Sequence, residues 1–215
     1  MQTWRDRLIY AAVWLACLAP ILQMVWLGFQ GDLTANPIEF VLRALGDWGL
    51  RLLLVSLAIT PAAKLLKQPR LIRYRRTIGL WAFTYILLHL SMYIGVDQFF
   101  DWNAIIKDIL KRPYITIGMT AFVLLIPLAV TSTNGMLRRM GPKAWRKLHQ
   151  LVYLIAPLGV IHYYLLVKAD VREPLLYGAI LAVLLAYRVY AWNVAKRAQA
   201  AKASAKAAAR SSAVG

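Results

Sequence analysis

The sequence is poor in several residue types on which common protein chemistry depends. Its 215 residues include one cysteine, Cys17, which excludes a disulfide framework and any paired-cysteine zinc or dithiol site. Only 9 residues are Asp or Glu, and those near the apolar stretches lie at their ends. No Gly-x-Gly-x-x-Gly fingerprint occurs, so this chain is not expected to collect hydride from a nicotinamide by itself.

Apolar residues and positive charge are abundant instead. The hydrophobic share is 60%, well above the ~45–50% of soluble domains, which argues against an ordinary globular enzyme. The net charge is +17, a value that would suggest nucleic acid if it lay on a polar scaffold. The position of the charges along the chain therefore decides their meaning.

Six apolar stretches approach the ~20 residues that a membrane-spanning helix requires. They predict an all-α membrane protein with a six-helix transmembrane bundle over residues 1–193, and the first stretch is interpreted as a retained helix rather than a signal peptide. Residues 194–215 predict a basic, low-complexity tail that is disordered or transiently helical. The predicted spans are 8–29, 46–66, 78–96, 113–131, 148–167 and 175–193.

Basic residues are concentrated in alternate connecting segments. Residues 3–7, the segments after the second and fourth spans and the tail hold most of the 26 Lys and Arg, with Asp6 as their acidic companion. The positive-inside rule then places both termini in the cytoplasm. The charge is a topology signal, and nucleic acid is not expected as a partner.

All three histidines fall within predicted spans. At 1.5 Å per residue, His89 lies ~16 Å and His162 ~20 Å from the cytoplasmic start of its span, which places both in the outer half of the membrane. Two neutral imidazoles on neighbouring helices suit the axial positions of a haem. The alternative is that each ring is hydrogen-bonded to a Tyr, a Ser or a backbone carbonyl.

The third histidine, His149, lies at the cytoplasmic mouth of the fifth span with no histidine at its own depth. Fourteen residues before His89, nearly four helical turns, the chain carries Arg75 instead. His149 is therefore either a structural residue or a ligand to a cofactor whose other side is met by a different group. Arg75 and Arg76 are placed to reach a propionate or a phosphate, or are positive-inside anchors only.

The runs that contain these residues resemble the MsrQ (YedZ) family, which is similar to the ferric reductase-like transmembrane domain. The resemblance implies a bacterial inner-membrane, multi-pass protein with one or two b-type haems, association with FMN, and electron delivery to a periplasmic molybdenum methionine sulfoxide reductase, MsrP, in protein repair. It implies that His89 and His162 are haem ligands and that His149 is the inner histidine. Arg75 stands where larger relatives have a fourth histidine. The matching runs are 75–89, 131–135, 145–153 and 162–168.

The function expected is transmembrane electron transfer, by a subunit of an oxidoreductase system rather than a complete enzyme. The donor is a membrane quinol or a separate flavoprotein at the basic cytoplasmic face. Asp97, Asp101 and Asp108 are either an acceptor-docking surface or solvated loop residues. The alternatives are a small-solute transporter, against which the absence of intramembrane carboxylates counts, and a structural assembly subunit; both predict a colourless protein.

Overall fold

The computed structural model describes residues 4–167 and 169–212, with side chains as far as residue 204. Residues 1–3, Lys168 and residues 213–215 lie outside the described residues; they include the start of the predicted segment 3–7, the end of the run 162–168 and the end of the predicted tail. The described chain is helical throughout its regular structure. Its helices are α1 (Trp4–Gln30), α2 (Pro37–Leu65), α3 (Tyr74–Met92), α4 (Trp102–Lys111), α5 (Pro113–Val130), α6 (Asn134–Met140), α7 (Pro142–His149), α8 (Val152–Leu166) and α9 (Arg172–Ser212).

Local sequence explains where several helices begin. The Asn36 side chain accepts a hydrogen bond from the backbone N–H of Glu39, and Pro37 opens α2 without losing a bonded N–H. Asp101 caps α4 in the same way by accepting from Ala104. A 3₁₀ turn (Pro69–Arg73) leads into α3, and a π-helical turn (Tyr93–Asp97) extends its end.

Five stretches are long and apolar enough to cross a membrane, namely 4–30, 69–97, 113–130, 142–166 and 172–204. Large apolar side chains also face outward along them, such as Val123 and Leu154, each more than half exposed. Such a belt is unfavourable in water and favourable in lipid, so the chain is a multi-pass membrane protein. The second predicted span, 46–66, lies within α2, which is not among the five; the six-span count remains a prediction.

Four helices form a ring at the centre of the bundle, with contacts from α2 to α3, α3 to α5, α5 to α8 and α8 back to α2. α1 packs on α3, and α9 packs on α8 and α2. Hydrogen bonds from late α3 to early α2 and from late α8 to early α5 show that each of these pairs is antiparallel. We call the end that contains α4 the outer end and the opposite end the inner end.

The fifth predicted span is not one helix. α7 ends at His149 and α8 begins at Val152, with the chain turning at Gln150 and Leu151. Bonds from Leu151 N–H to Leu148 O and from Tyr153 N–H to Gln150 O tighten this turn into i→i+3 geometry. The predicted span over 148–167 is supported, since residues 142–166 are long and apolar enough to cross a membrane, but it contains this break, and His149 lies on the short helix before it.

The Arg188 side chain of α9 is turned into the bundle. Its Nη2 donates to the carbonyl of Leu57 at 3.3 Å, and its guanidinium lies 5.7 Å from the centre of the Tyr153 ring. Pro61 leaves the Leu57 carbonyl without its usual helical partner, because proline has no N–H with which to bond the carbonyl four residues earlier. Arg188 donates to that carbonyl and links α9 to α2.

The tail continues α9 as far as Ser212 without a break at residue 193. Ala, Lys, Arg and Gln all have high helix propensity, which favours continuation of the helix after the large apolar residues end at Val194. The described part of the tail is helical, and the transient character of this helix stays a prediction.

Candidate functional site

A cavity of about 600 Å³ lies inside the four-helix ring toward its outer end. Its walls are mostly apolar, with Leu50, Leu53 and Leu125 among them, and the His89 and His162 side chains line it. Its mouth carries charged residues of both signs. Those at the mouth are Glu39, Arg43, Asp97, Asp108, Arg112 and Glu173.

The structure brings His89 and His162 together, as the depth estimate predicted. Their ring centres are 6.2 Å apart, and the ring planes make an angle of 81°. The rings project from α3 and α8, which lie across the ring of four helices from each other. No group of three or more His, Cys, Asp or Glu side chains suited to a metal occurs within the described part of the chain, so these two imidazoles stand as a pair.

Each imidazole of the pair is held by one backbone carbonyl. Nδ1 of His89 lies 2.9 Å from the carbonyl oxygen of Leu42, and Nδ1 of His162 lies 2.7 Å from that of Tyr114. A carbonyl oxygen only accepts, so Nδ1 carries the proton in both rings and Nε2 carries the lone pair. This is the arrangement that metal-binding histidines commonly use, in which the bond at one nitrogen fixes the tautomer and orientation of the other.

Two glycines, which the sequence analysis did not single out, lie against these imidazoles. A Cβ at Gly46 of α2 would lie 3.1 Å from Nδ1 of His89, and one at Gly118 of α5 would lie 2.7 Å from Nδ1 of His162. The close helix approach that seats each ring therefore depends on the missing side chain. The signal in the sequence is the matched position of the two glycines, each four residues after the carbonyl that the histidine contacts.

The carboxylates of the outer loop are engaged within the protein. Asp108 forms an ion pair with Arg112 at 3.1 Å and accepts from the Tyr93 hydroxyl, while Asp101 caps α4 and Asp97 accepts from Gln98. The hydrogen bond from Arg112 to Tyr114, together with the Asp108 charge, raises the pKa of Arg112 and keeps it protonated. The Arg112 ion pair reduces the negative charge that a docking partner would meet at Asp108.

At the inner end, His149 is held by the turn that ends α5. Its Nε2 lies 3.0 Å from the Thr131 hydroxyl, and its ring stacks on Trp145 with centres 3.8 Å apart. The Thr131 hydroxyl donates its proton to the Pro127 carbonyl at 2.6 Å, so it accepts from Nε2–H of His149. The proton of a neutral His149 is thus on Nε2, the opposite of His89 and His162.

The two predicted cationic residues lie beside this histidine. Arg75 and Arg76 are close enough for their positive charges to disfavour a positive charge on His149. Nη1 of Arg76 donates to the Asn134 side chain at 2.5 Å, which ties the start of α3 to the segment that also contacts His149. The structure therefore gathers Arg75, Arg76 and His149 at one inner cluster.

Comparison with known proteins identifies the family of this chain. The family model described as ferric reductase like transmembrane component matches residues 45–160, which contain α3 and α5 and most of α2 and α8 but end before His162. A relative in Caulobacter vibrioides, named protein-methionine-sulfoxide reductase heme-binding subunit MsrQ, is 63% identical over 86% of this chain and 89% of its own length. The chain belongs to the MsrQ family.

Further MsrQ relatives match over similar lengths. The MsrQ protein of Rhodospirillum rubrum is 58% identical over 86% of this chain and 89% of its own length. That of Herminiimonas arsenicoxydans is 48% identical over 89% and 88% of the two chains. No solved structure matches the chain significantly. The resemblance found in the sequence runs is thus confirmed at the level of the family.

Proposed function

We propose that this protein carries electrons across a bacterial inner membrane through b-type haem held between His89 and His162. The observation that carries the proposal is the geometry of this imidazole pair in an apolar cavity. The names of its MsrQ relatives, which describe a haem-binding subunit of a protein-methionine-sulfoxide reductase, support it.

The residues present fit a six-coordinate iron. A metal–imidazole bond is about 2 Å long and the ring centre lies about 1 Å behind the nitrogen, so two axial imidazoles have centres about 6 Å apart. The observed separation is 6.2 Å. The cavity volume of about 600 Å³ also lies within the ~300–1,000 Å³ range of cofactor pockets.

A bound haem would supply a one-electron couple, and the protein would supply ligation, orientation and a low-dielectric path. The Leu42 and Tyr114 carbonyls hold the imidazoles with Nε2 free for the iron. The apolar walls would exclude water. Arg43 and Arg112 at the mouth are ion-paired with Glu39 and Asp108, and their remaining N–H groups would be available to propionates.

The proposal extends to the path on either side. Both termini are assigned to the cytoplasm, with residues 1–193 as the haem-binding domain and 194–215 as the cytoplasmic tail. Electrons enter from a quinol or a cytoplasmic flavoprotein and pass the inner cluster of Arg75, Arg76 and His149, where a second haem or FMN binds. They leave from the outer site to a periplasmic molybdenum methionine sulfoxide reductase, MsrP, in the repair of oxidised proteins.

The first test is a spectrum of the purified protein. We expect a reducible low-spin b-type haem spectrum and, for the oxidised protein, an electron paramagnetic resonance signal with one dominant large g value. The reason is the 81° angle between the imidazoles: perpendicular ligand planes act equally on two iron d orbitals, whereas parallel planes split them and give three well-separated g values. A colourless protein would contradict the proposed function and favour the transporter or assembly-subunit alternatives.

A further inference from the structure

The two halves of the outer cavity are built from corresponding residues. On α2 and α5 the cavity-lining pairs Leu50 with Phe122 and Leu53 with Leu125 differ by 72 in number, as do Gly46 and Gly118. On α3 and α8, Ile86 with Gly159 differ by 73, as do His89 and His162. These offsets pair α2 with α5 and α3 with α8 around the cavity, and we call α2–α3 and α5–α8 the two copies of this repeated arrangement.

Each copy seats its histidine with the same three parts. A backbone carbonyl on the partner helix accepts from Nδ1, a glycine four residues later lies over the ring, and the imidazole comes from near the outer end of the next helix of the ring. The carbonyl is that of Leu42 in the first copy and of Tyr114 in the second. Residues four apart lie on the same face of a helix, so the carbonyl and the glycine contact the same imidazole ring.

The two glycines act on the imidazoles through distance and not through backbone conformation, and the contact is tighter at Gly118 than at Gly46. A Cβ at Gly118 would lie 2.7 Å from Nδ1 and 2.9 Å from Cε1 of His162, and one at Gly46 would lie 3.1 and 3.2 Å from the same atoms of His89. To reach an ordinary contact of about 3.4 Å, the rings would shift by about 0.7 Å and 0.3 Å. Only the first shift exceeds the ~0.5 Å tolerance of a preorganised site.

We infer that Gly46 and Gly118 are positioning residues that set the place and tilt of the two axial imidazoles, one in each copy of the repeat. The inference rests on the proposed haem ligation by His89 and His162. It adds that the iron's ligand field is controlled by two residues that contact neither the iron nor the haem through a side chain.

The test uses alanine substitutions in the full-length protein. Gly118→Ala is expected to lose most of the bound haem, and the remainder to show altered g values. Gly46→Ala is expected to keep its haem and to show a smaller change in g values and in midpoint potential. Haem per chain, electron paramagnetic resonance and redox titration supply the three readouts.

Gly49→Ala is the matched control, because a Cβ there would lie 2.7 Å from Cγ1 of Ile86 and meet neither histidine. It overpacks the same α2–α3 contact as Gly46→Ala and is expected to lower thermal stability with wild-type g values and midpoint potential. Gly178→Ala, with an ordinary 3.6 Å contact to Val160, should change nothing.

Wild-type g values and haem content in Gly118→Ala would overturn the inference, as would a spectral change in Gly49→Ala equal to that in Gly46→Ala. If Gly118→Ala does not fold, Gly46→Ala decides alone: an unchanged signal overturns the inference and a shifted one supports it. A wild-type protein without haem contradicts the proposed function itself, so the two failures are distinguishable.

Discussion

Replacing both His89 and His162 by alanine is expected to abolish the low-spin haem spectrum and lower bound haem by about tenfold or more. The estimate is conservative, since loss of a single supporting group behind a metal ligand already costs about 10–100-fold in affinity. Each single substitution leaves one imidazole and an open axial position, so any retained iron should change from low-spin to high-spin. Absorption and electron paramagnetic resonance spectra of the purified variants measure both effects.

Two neighbouring positions provide matched controls for the histidine substitutions. Ser91 follows His89 on α3 and bonds its own helix at the Leu87 carbonyl, while Tyr164 follows His162 on α8 and is exposed. Ser91→Ala and Tyr164→Phe should therefore retain wild-type haem and spectra. A double histidine variant that keeps the wild-type haem content would contradict the ligand assignment, whatever the controls show.

The depth of this pair was predictable from the sequence because both the start of each span and the position of a residue along it can be estimated. The apolar length marks where a span begins, and the helical rise converts residue number into depth. His89 and His162 could therefore be placed at similar depth without knowing how their helices pack. The alternative of a backbone carbonyl partner was also correct for both rings, and it is compatible with ligation because the bond uses Nδ1.

Features that depend on the approach of two helices were not predictable in this way. The contacts of Gly46 and Gly118 with the two imidazoles arise because α2 and α5 approach the histidine rings closely. The periodicity of a single helix does not reveal this approach. The inward turn of Arg188 likewise needs both the carbonyl freed by Pro61 and the neighbouring position of α9. The break after His149 arises from a turn at Gln150 and Leu151, which contains neither glycine nor proline as a signal in the sequence.

The inner cluster gives the second large effect that we expect. His149→Ala should remove the second cofactor, read as a fall in haem or flavin per chain, while the outer low-spin signal remains. Among Arg75, Arg76 and His149, only His149 has a side chain that commonly ligates a metal; one face of its ring is stacked on Trp145, and its Nε2–H is bonded to Thr131. Measuring haem and flavin separately identifies which of the two this cluster holds.

Gln150→Ala is the appropriate control for this substitution, since Gln150 follows His149 in sequence and its side chain is exposed. Unchanged haem and flavin content in His149→Ala would contradict a cofactor role and leave His149 as a structural residue of the α7–α8 turn. Loss of the outer signal as well would show that the substitution disrupts the bundle rather than one site.

Thr131→Val separates ligation from structure at His149. The substitution keeps the shape of the side chain and removes the hydroxyl that accepts from Nε2–H, so it frees that nitrogen. If His149 serves the second cofactor through Nε2, the variant should keep or increase cofactor content, because the hydrogen bond no longer competes. If the ring only braces the turn, cofactor content should be the same in Thr131→Val, in His149→Ala and in the wild type. The hydroxyl also donates to the Pro127 carbonyl, so Thr131→Val should lower thermal stability in either case, by about 1 kcal/mol per lost bond. Cofactor content of the three proteins, measured side by side, therefore distinguishes a ligand at the inner end from a brace.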